Sequence, residues 1–490
     1  MTDTLDLPAL GFTGVPDLPT LARVTGALGL LSNSGTCEHP IRLVGGRDVI
    51  EAATGQLLDS TTGRQITVSC GNRRASKCGY CSTLYKFDAY NLVASGLRGG
   101  KDVPATVAEH PAVFLTLTAP SFGAVHLGPE KSGRLRPCRP RRDGTGCFRW
   151  HAKGDPLIGT PLDASTYDYT SHVLFNALSR DLWDDTVREI RRTVARLAGI
   201  SRAELKRQAA VQFAKVVEYQ ARGVVHFHAV IRIDGPDGPA SAPPAWATLE
   251  LLKEAIEHGA RRASVTAPDS RALGEYGFGW GEQLRADPIT AAALGTDGEI
   301  TDVTVARYIA KYATKSTEIT SAELPRLACR ACDGTGRIAE RHADRPPLQA
   351  PCGHCAGTGR TLDLDQWSLT AHARRLIETC WLLGGIPELA ELRLRQWAHM
   401  LGFGGHFATK SRAYSTTFGA LRQERADYTA ALDPETAALA DSPDVIVINH
   451  WSYAGPADPT GPPGYRTDPS PEPDRKEAPY GQTVDSGTGR

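Results

Sequence analysis

One stretch decides the fold: Lys215-Val-Val-Glu-Tyr-Gln-Ala-Arg-Gly-Val-Val-His-Phe-His-Ala-Val-Ile-Arg-Ile-Asp234. Side chains alternate between the two faces of an extended strand. In the second half of this stretch, one face carries only apolar residues: Val225, Phe227, Ala229, Ile231 and Ile233. His226 and His228 lie together on the other face. The alternation therefore predicts a strand with one core face and one face that holds a site.

The turn before the histidines fixes how this strand pairs with the preceding one. Ala221-Arg222-Gly223 is typical of a three-residue hairpin loop, because glycine accepts a left-handed last position without a Cβ penalty. Pairing Gln220 with Val224 then places Glu218 opposite His226, with Cβ atoms about 5 Å apart. Two imidazoles and a carboxylate suit Mg²⁺, Mn²⁺ or another divalent ion with open positions. The alternative is a pair of half-exposed histidines without a metal.

The length and the charge balance limit the class of protein. A chain of 490 residues exceeds most single cores, so we expect two or more domains, or one domain with large inserts. Lys+Arg and Asp+Glu are equal at 55 each, so any nucleic-acid surface is a local patch, such as the arginine-rich residues 134–142. The sequence contains no apolar run of about 18 residues and no export signal. We therefore expect a cytoplasmic protein with no membrane contact.

Most of the 11 cysteines lie in or near close-spaced pairs, which in an unexported chain favours metal sites over disulfides. A repeated C-x-x-C-x-G-x-G pattern has glycines that let the backbone aim amides at sulfur. This pattern predicts one Zn²⁺ site, with the ligands Cys329, Cys332, Cys352 and Cys355.

The front of the chain contains a second cysteine set. It predicts another Zn²⁺ site, with buried free thiols as the alternative, at Cys37, Cys70, Cys78 and Cys81. Cys138 and Cys147 flank a Pro/Arg/Gly loop that ends in His151. This loop offers few further ligands, so we expect a basic loop without metal.

Residues 302–316 provide a second group of candidate catalytic side chains. On a helix, Tyr308 and Tyr312 lie one turn apart on one face, and Lys311 and Lys315 form a parallel row. A nearby cation stabilises phenolate and binds phosphate, so this set suits a nucleophile. The alternative is an amphipathic helix whose tyrosines are packing residues.

Three segments occur in an order that resembles a known signature: Phe114-Leu-Thr-Leu-Thr118, His226-Phe-His228, and Tyr308-Ile-Ala-Lys-Tyr312 followed by Lys315. They resemble the three motifs of the HUH (His-hydrophobic-His) rolling-circle replication initiators. The cysteine-bearing front and Gly405-His-Phe-Ala-Thr-Lys-Ser-Arg-Ala-Tyr-Ser-Thr-Thr417 make the chain most similar to initiators of actinomycete plasmids and integrative conjugative elements. The resemblance extends from about Cys37 to about Tyr453.

The resemblance implies an α+β fold with a central antiparallel sheet of the HUH-endonuclease type, helical inserts and zinc-binding knuckles. The sheet would carry strands 113–118, 211–219 and 224–233, with the 302–316 helix beside the histidine face. The implied regions are a zinc-bearing front (1–110), a nickase domain (111–320), a zinc insert (321–362), a helical DNA-contacting region (363–454) and a disordered tail (455–490).

The implied activity is nicking of one strand at a single-stranded or hairpin origin. The 5′ end becomes linked to a tyrosine as a 5′-phosphotyrosine, and the protein later rejoins the strands. His226 and His228 would hold Mg²⁺ or Mn²⁺, with Glu218 as third ligand by register and analogy. Tyr312 ranks before Tyr308 as nucleophile, because relatives with a single tyrosine have it at the position of Tyr312. Lys315 would orient phosphate, with Lys311 a weaker candidate. A host helicase would be a partner.

Two rival functions follow from the same residues. A relaxase or single-strand transposase would use the same chemistry on a different DNA end. A zinc-dependent DNA-binding regulator would use the histidines and tyrosines only structurally.

The chain departs from the family pattern at one place. Close relatives carry additional cysteines between the first two motifs, whereas residues 162–167 have none, which weakens any metal site at Cys138 and Cys147.

Overall fold

The computed structural model describes residues 37–130, 132–140, 146–290, 301–313, 324–342, 345–431 and 445–457. Of the tail expected to be disordered (455–490), residues 458–490 lie outside this part of the chain. The chain divides into a smaller unit, residues 1–70 with 430–490, and a larger unit, residues 71–429. The five regions implied by the sequence stay predictions. No helix in these ranges is both long and apolar enough to cross a membrane.

Helices make up much of the larger unit. They are α1 (Gly79–Arg98), α2 (Tyr169–Leu197), α3 (Arg202–Gln208), α4 (Leu249–Arg262), α5 (Asp302–Ala313), α6 (Ala371–Leu383) and α7 (Phe418–Ala431). Short 3-10 helices lie at Ala105–Glu109, Leu364–Gln366, Pro387–Leu392 and Ala398–Met400.

The strands fall into several antiparallel sheets. They are β1 (Ile41–Glu51), β2 (Leu57–Val68), β3 (Ala112–Leu117), β4 (Pro137–Arg139), β5 (Cys147–Trp150), β6 (Ala210–Tyr219), β7 (Val225–Asp234), β8 (Val265–Thr266), β9 (Gly277–Phe278), β10 (Leu284–Pro288), β11 (Arg337–His342), β12 (Arg345–Pro351), β13 (Ala408–Lys410) and β14 (Val445–Pro456).

The main sheet has five antiparallel strands in the order β10-β3-β7-β6-β13. The three strands expected from the sequence, β3, β6 and β7, are confirmed and occupy its centre. The edge strands β10 and β13 were not expected. The larger unit is therefore α+β, as the sequence indicates.

The main sheet buries both of its faces. The apolar side chains of β7, including Phe227 and Ile231, pack with α2 and α4 in the larger core. On the opposite face, Phe114, Val216 and Val230 pack with α1 and α5 in a second core. The histidine face is therefore only partly open, and helix α5 lies beside it as expected.

Caps define the ends of the helices. The Asp168 side chain accepts a hydrogen bond from the Ser171 amide and begins α2. Ser201 and Glu204 form a reciprocal capping box at α3. In the region 363–454, which was expected to be helical, α6 ends at Leu383 because Gly384, Gly385 and Pro387 follow it. From there to Met400 only 3-10 turns form.

The smaller unit contains a three-stranded antiparallel sheet in the order β14-β1-β2. The sequence region 363–454 was expected to be helical to its end, whereas β14 is a strand that pairs along most of β1. Four consecutive β-branched residues, Val445-Ile-Val-Ile448, favour a strand at this position.

A buried lysine in the larger core gives a pH-dependent prediction. Lys215 is 6% exposed, and its ammonium nitrogen lies 4.7 Å from the Phe227 ring centre. Burial lowers the pKa of Lys215 from 10.5 to about 8. Between these two values the unfolded chain binds more protons than the folded chain, so this cost to stability is full below pH 8 and declines as the pH rises.

Lys215→Met is therefore expected to raise the free energy of unfolding at pH 7 by about 3 kcal/mol. The gain over wild type should shrink as the pH rises from 8 to 10.5. Denaturant titrations at several pH values measure both effects, with Lys206→Met on the exposed side of α3 as the matched control. An equal or lower stability for Lys215→Met at pH 7 would contradict the prediction.

Candidate active site and metal centres

An open cavity of about 810 Å³ lies at the histidine face of the main sheet. Its wall combines side chains from β3, β6, β7, β10, α5 and α6 with parts of two loops. The members that matter for chemistry are Thr116, Glu218, His226, His228, Tyr308 and His372. The structure thus brings both predicted histidines, the predicted carboxylate and one predicted tyrosine to one cavity.

His228 lies at the centre of the polar contacts in this cavity. Its Nδ1 is 3.1 Å from Thr116 Oγ1, and its Nε2 is 3.1 Å from the Tyr308 hydroxyl and 3.7 Å from Glu218 Oε2. One neutral tautomer satisfies both hydrogen bonds: Nδ1–H donates to Thr116 and Nε2 accepts from Tyr308. The imidazole is therefore held with Nε2 toward Tyr308 and Glu218.

The predicted hairpin register is confirmed. Glu218 pairs with His226, and the Gln220 amide donates to the Val224 carbonyl at 2.9 Å. Gly223 has φ +91°, the left-handed conformation expected of it. The His226 and His228 ring centres are 4.5 Å apart. A carboxylate and two imidazoles at an open cavity are donor types that a divalent ion with open positions accepts, and binding of such an ion by these three residues stays a prediction.

Helix α5 carries the predicted tyrosines. The Tyr308 ring packs against Phe114 and His228, with ring centres 5.7 Å and 4.8 Å away. Tyr312 lies one turn further along the same helix, but its side chain is outside the described part of the structure. Lys311 is exposed, and Lys315 falls outside the described residues. The roles of Tyr312 and Lys315 stay predictions.

A cluster of buried histidines and tyrosines packs beside the turn between β6 and β7 and contacts its backbone. His372 Nε2–H donates to the Arg222 carbonyl at 2.8 Å, and Nδ1 lies 3.2 Å from the Tyr169 hydroxyl. Burial lowers the pKa of His372, and it lowers that of His172 to about 3, so the His172 imidazole is neutral at pH 7. His372 and His172 were not identified from the sequence, because isolated histidines in a helix give no local signal.

The C-x-x-C-x-G-x-G repeat forms a compact four-cysteine group. Two Sγ distances, Cys329 to Cys352 and Cys332 to Cys355, are 4.0 Å and 3.8 Å. A tetrahedral Zn(Cys)₄ site with Zn–S bonds of about 2.3 Å has S···S edges of about 3.8 Å. The residues therefore fit the predicted zinc ion.

The glycines of this repeat act as the sequence predicts. The amides of Gly336 and Gly359 donate to Cys332 Sγ and Cys355 Sγ at 3.3 Å and 3.2 Å. A Cβ on Gly336 would lie 2.2 Å from the Gly357 carbonyl oxygen, and one on Gly359 would lie 2.4 Å from that of Gly334. Only glycine fits at these two positions.

The cysteines at the front of the chain belong to two units. In the smaller unit, the Cys70 amide donates to Cys37 Sγ at 3.3 Å. In the larger unit, Cys78 caps the first turn of α1 and accepts from the Cys81 amide at 3.5 Å. The predicted zinc site that would join all four stays a prediction.

The structure corrects the premise that few further ligands lie near Cys138 and Cys147, although it does not test whether metal binds there. We expected a basic loop without metal, because the sequence offered few further ligands there. The structure brings both thiols together with His151 and with His126, which the sequence analysis missed. His126 lies on a separate loop without a spaced motif, so its proximity depends on the tertiary fold.

For the segment Gly405–Thr417, the two interpretations are contacts to the phosphates of DNA and packing within the protein. Lys410 Nζ donates to the carbonyls of Arg412 and Ser415 at 3.1 Å and 2.9 Å, and Tyr414 is fully buried. Residues Ala408–Lys410 form the edge strand β13 of the main sheet. These contacts favour the packing interpretation for this part of the segment.

Comparison with known proteins identifies the class. A curated protein of Streptomyces ambofaciens named "Replication initiator protein" is 42% identical over 436 residues, which cover 87% of this chain and 85% of that protein. The chain is thus similar, over most of its length, to a replication initiator.

The family can be named more closely. The family described as "Replication initiator protein, pSAM2" (RepSA) matches residues 24–465. The chain therefore belongs to the RepSA family of replication initiators. No solved structure matches the chain.

Proposed function

We propose that this replication initiator starts rolling-circle replication by nicking one strand of origin DNA and joining its 5′ end to a tyrosine. The observation that carries the proposal is the 3.1 Å contact between the Tyr308 hydroxyl and His228 Nε2 in an open cavity that also holds Glu218 and His226. A phenolic nucleophile beside a divalent-ion donor set is an arrangement that supports phosphoryl transfer at a DNA backbone.

The reaction would exchange one ester for another. The tyrosine oxygen forms a bond to phosphorus while the bond from phosphorus to the 3′ oxygen breaks. The phenol loses its proton and the departing 3′ oxygen gains one. The number of phosphoester bonds does not change, so the reverse attack by a 3′-OH rejoins the strand.

The residues of the cavity would divide this work. His226, His228 and Glu218 would hold the Mg²⁺ or Mn²⁺, which when bound would stabilise charge on the scissile phosphate. Thr116 fixes the His228 ring through Nδ1, and the rings of Phe114 and His228 pack against that of Tyr308. We rank Tyr312 first and Tyr308 second as nucleophile, with Lys315 as the phosphate-orienting cation.

The test uses the full-length protein, Mn²⁺ and labelled single-stranded fragments spanning the origin of the element that encodes it. We expect an adduct that survives boiling in detergent and fails to form with EDTA. Mass spectrometry of the nuclease-trimmed adduct should locate a 5′-phosphate on Tyr312 or Tyr308. An adduct on another peptide would exclude these nucleophiles, and DNA binding without any adduct would favour the non-catalytic regulator.

The same experiment separates the related enzymes. Sequencing the DNA held on the protein gives the nick position and the attached end. An initiator should hold the 5′ end at a replication origin, whereas a relaxase or transposase should hold DNA from a transfer origin or an element end. A host helicase that unwinds the nicked duplex is a further proposed partner.

Thr116 provides a prediction about metal binding. Thr116→Val keeps the shape of the side chain but removes the hydroxyl that lies 3.1 Å from His228 Nδ1. Loss of such an orienting contact lowers metal affinity by about 10- to 100-fold. The Mn²⁺ concentration needed for half-maximal adduct formation should rise by this factor.

Thr118→Val is the matched control, because the Thr118 hydroxyl donates to the Gln283 carbonyl and not to a histidine. Its Mn²⁺ requirement should equal that of wild type. If Thr116→Val also equals wild type, Thr116 does not orient the metal ligand.

A further inference from the structure

A second loop region of the larger unit gathers four more metal-ligand side chains. His126, Cys138, Cys147 and His151 each offer one ligand atom, and these atoms all lie within 4.8 Å of one another. We propose that these four residues bind one structural Zn²⁺ ion in a Cys₂His₂ site.

The ligand distances match the edges of a zinc tetrahedron. His126 Nδ1 is 3.2 Å from His151 Nε2, Cys138 Sγ is 3.6 Å from His126 Nδ1, and Cys147 Sγ is 3.5 Å from His151 Nε2. With Zn–N bonds of about 2.05 Å and Zn–S bonds of about 2.3 Å, tetrahedral geometry gives N···N of about 3.3 Å and N···S of about 3.6 Å. These separations are also close to those in the Cys₄ group of the larger unit.

The surroundings hold the ligands in the orientation that zinc needs. His151 Nδ1 is 2.7 Å from Asp155 Oδ2, so Nδ1–H donates to the carboxylate and Nε2 faces the other three ligands. The Leu127 amide donates to Cys138 Sγ at 3.0 Å, the kind of N–H contact that the amides of the C-x-x-C-x-G-x-G repeat make to sulfur. Strands β4 and β5 pair Arg139 with Cys147 and so bring the two cysteine-bearing segments together.

This site is linked to the wall of the large cavity. The His126 amide donates to the Thr160 carbonyl at 2.9 Å, and the Gly159 amide donates to the His126 carbonyl at 2.9 Å. Asp155 and Thr160 both line the cavity. Zinc at these ligands would therefore hold the loop from Gly154 to Thr160 against the segment that carries His126, and its role here is structural.

The first test counts zinc in purified full-length protein without DNA, so its result does not depend on the proposed nicking activity. Cys138→Ser/Cys147→Ser should contain one equivalent of zinc less than wild type. Cys380→Ala removes a buried thiol of α6 that belongs to none of these groups and should leave the zinc content unchanged. An unchanged zinc content in the double variant would overturn the proposal.

The second test uses the wild-type protein, so it also decides the case in which the double variant fails to fold. Cys147 is partly exposed and a free thiol there would react rapidly with iodoacetamide. Peptide mapping should show Cys138 and Cys147 protected in the zinc-loaded protein and alkylated at least 10-fold faster after chelation. Equal alkylation rates of Cys147 before and after chelation would overturn the proposal.

Discussion

Tyr308→Phe/Tyr312→Phe is expected to lower covalent adduct formation with origin DNA by more than about 10³-fold, because the nucleophilic oxygen is gone. Phenylalanine keeps the ring that packs against Phe114 and His228, so the loss reflects chemistry and not packing. The rate of adduct formation in gels after boiling in detergent measures the effect. Tyr428→Phe, which removes an exposed hydroxyl from α7, is the matched control.

The single variants separate the two tyrosines. If Tyr312 attacks first, Tyr312→Phe removes the first cleavage, whereas Tyr308→Phe leaves a measurable adduct and loses only the hydroxyl that contacts His228. Wild-type adduct levels in the double variant would show that another residue is the nucleophile. If neither the wild-type protein nor the variants form an adduct, the nicking proposal itself is rejected.

Local patterns explain why part of the site could be predicted from the sequence. The β6–β7 register follows from strand alternation and from the one turn residue, Gly223, that must adopt positive φ. The C-x-x-C-x-G-x-G knuckles follow from short-range spacing, which fixes where sulfur and amide groups lie. These features depend on a few consecutive residues, so the sequence alone specifies them.

Other features depend on residues that are distant in the chain. Strand β10 contains charged residues and a proline, and it exists because the edge of β3 offers unpaired backbone groups. Strand β13 has only three residues and pairs with β6 for the same reason. His126 meets Cys138 because its neighbours hold the two segments together: the Leu127 amide donates to Cys138 Sγ, and Arg139 Nε donates to the Val125 carbonyl. No local periodicity encodes any of these contacts.

The histidine face also contains a structural ion pair that alternation did not reveal. Beyond His228 on the same face, Arg232 and Asp234 are completely buried. Arg232 Nε and Nη2 donate to the two oxygens of Asp234 at 2.6 Å and 2.7 Å, and His110 Nδ1 lies 2.8 Å from the same carboxylate. One end of the face therefore opens into the cavity and the other end stabilises the fold.

Asp234→Ala is expected to lower the free energy of unfolding by about 3 to 5 kcal/mol, because it leaves the Arg232 guanidinium buried without its carboxylate. Arg232 also donates to the Tyr414 carbonyl at 3.0 Å and to the Gly96 carbonyl, so it cannot move to solvent without breaking contacts to α1 and to the segment after β13. Denaturant titration measures the loss, and Asp237→Ala, at an exposed position nearby, should change stability by no more than about 0.5 kcal/mol.

The double variant Arg232→Met/Asp234→Leu distinguishes the cost of an unpaired buried charge from the cost of lost side-chain packing. Because it removes both buried charges and keeps apolar volume, it should be less destabilised than Asp234→Ala alone. If the double variant instead loses as much stability as Arg232→Met and Asp234→Leu lose in sum, the cost lies in packing and not in the unpaired charge. A loss below about 1 kcal/mol for Asp234→Ala would show that water or another group reaches Arg232, which would conflict with its complete burial between the sheet, α1 and Tyr414.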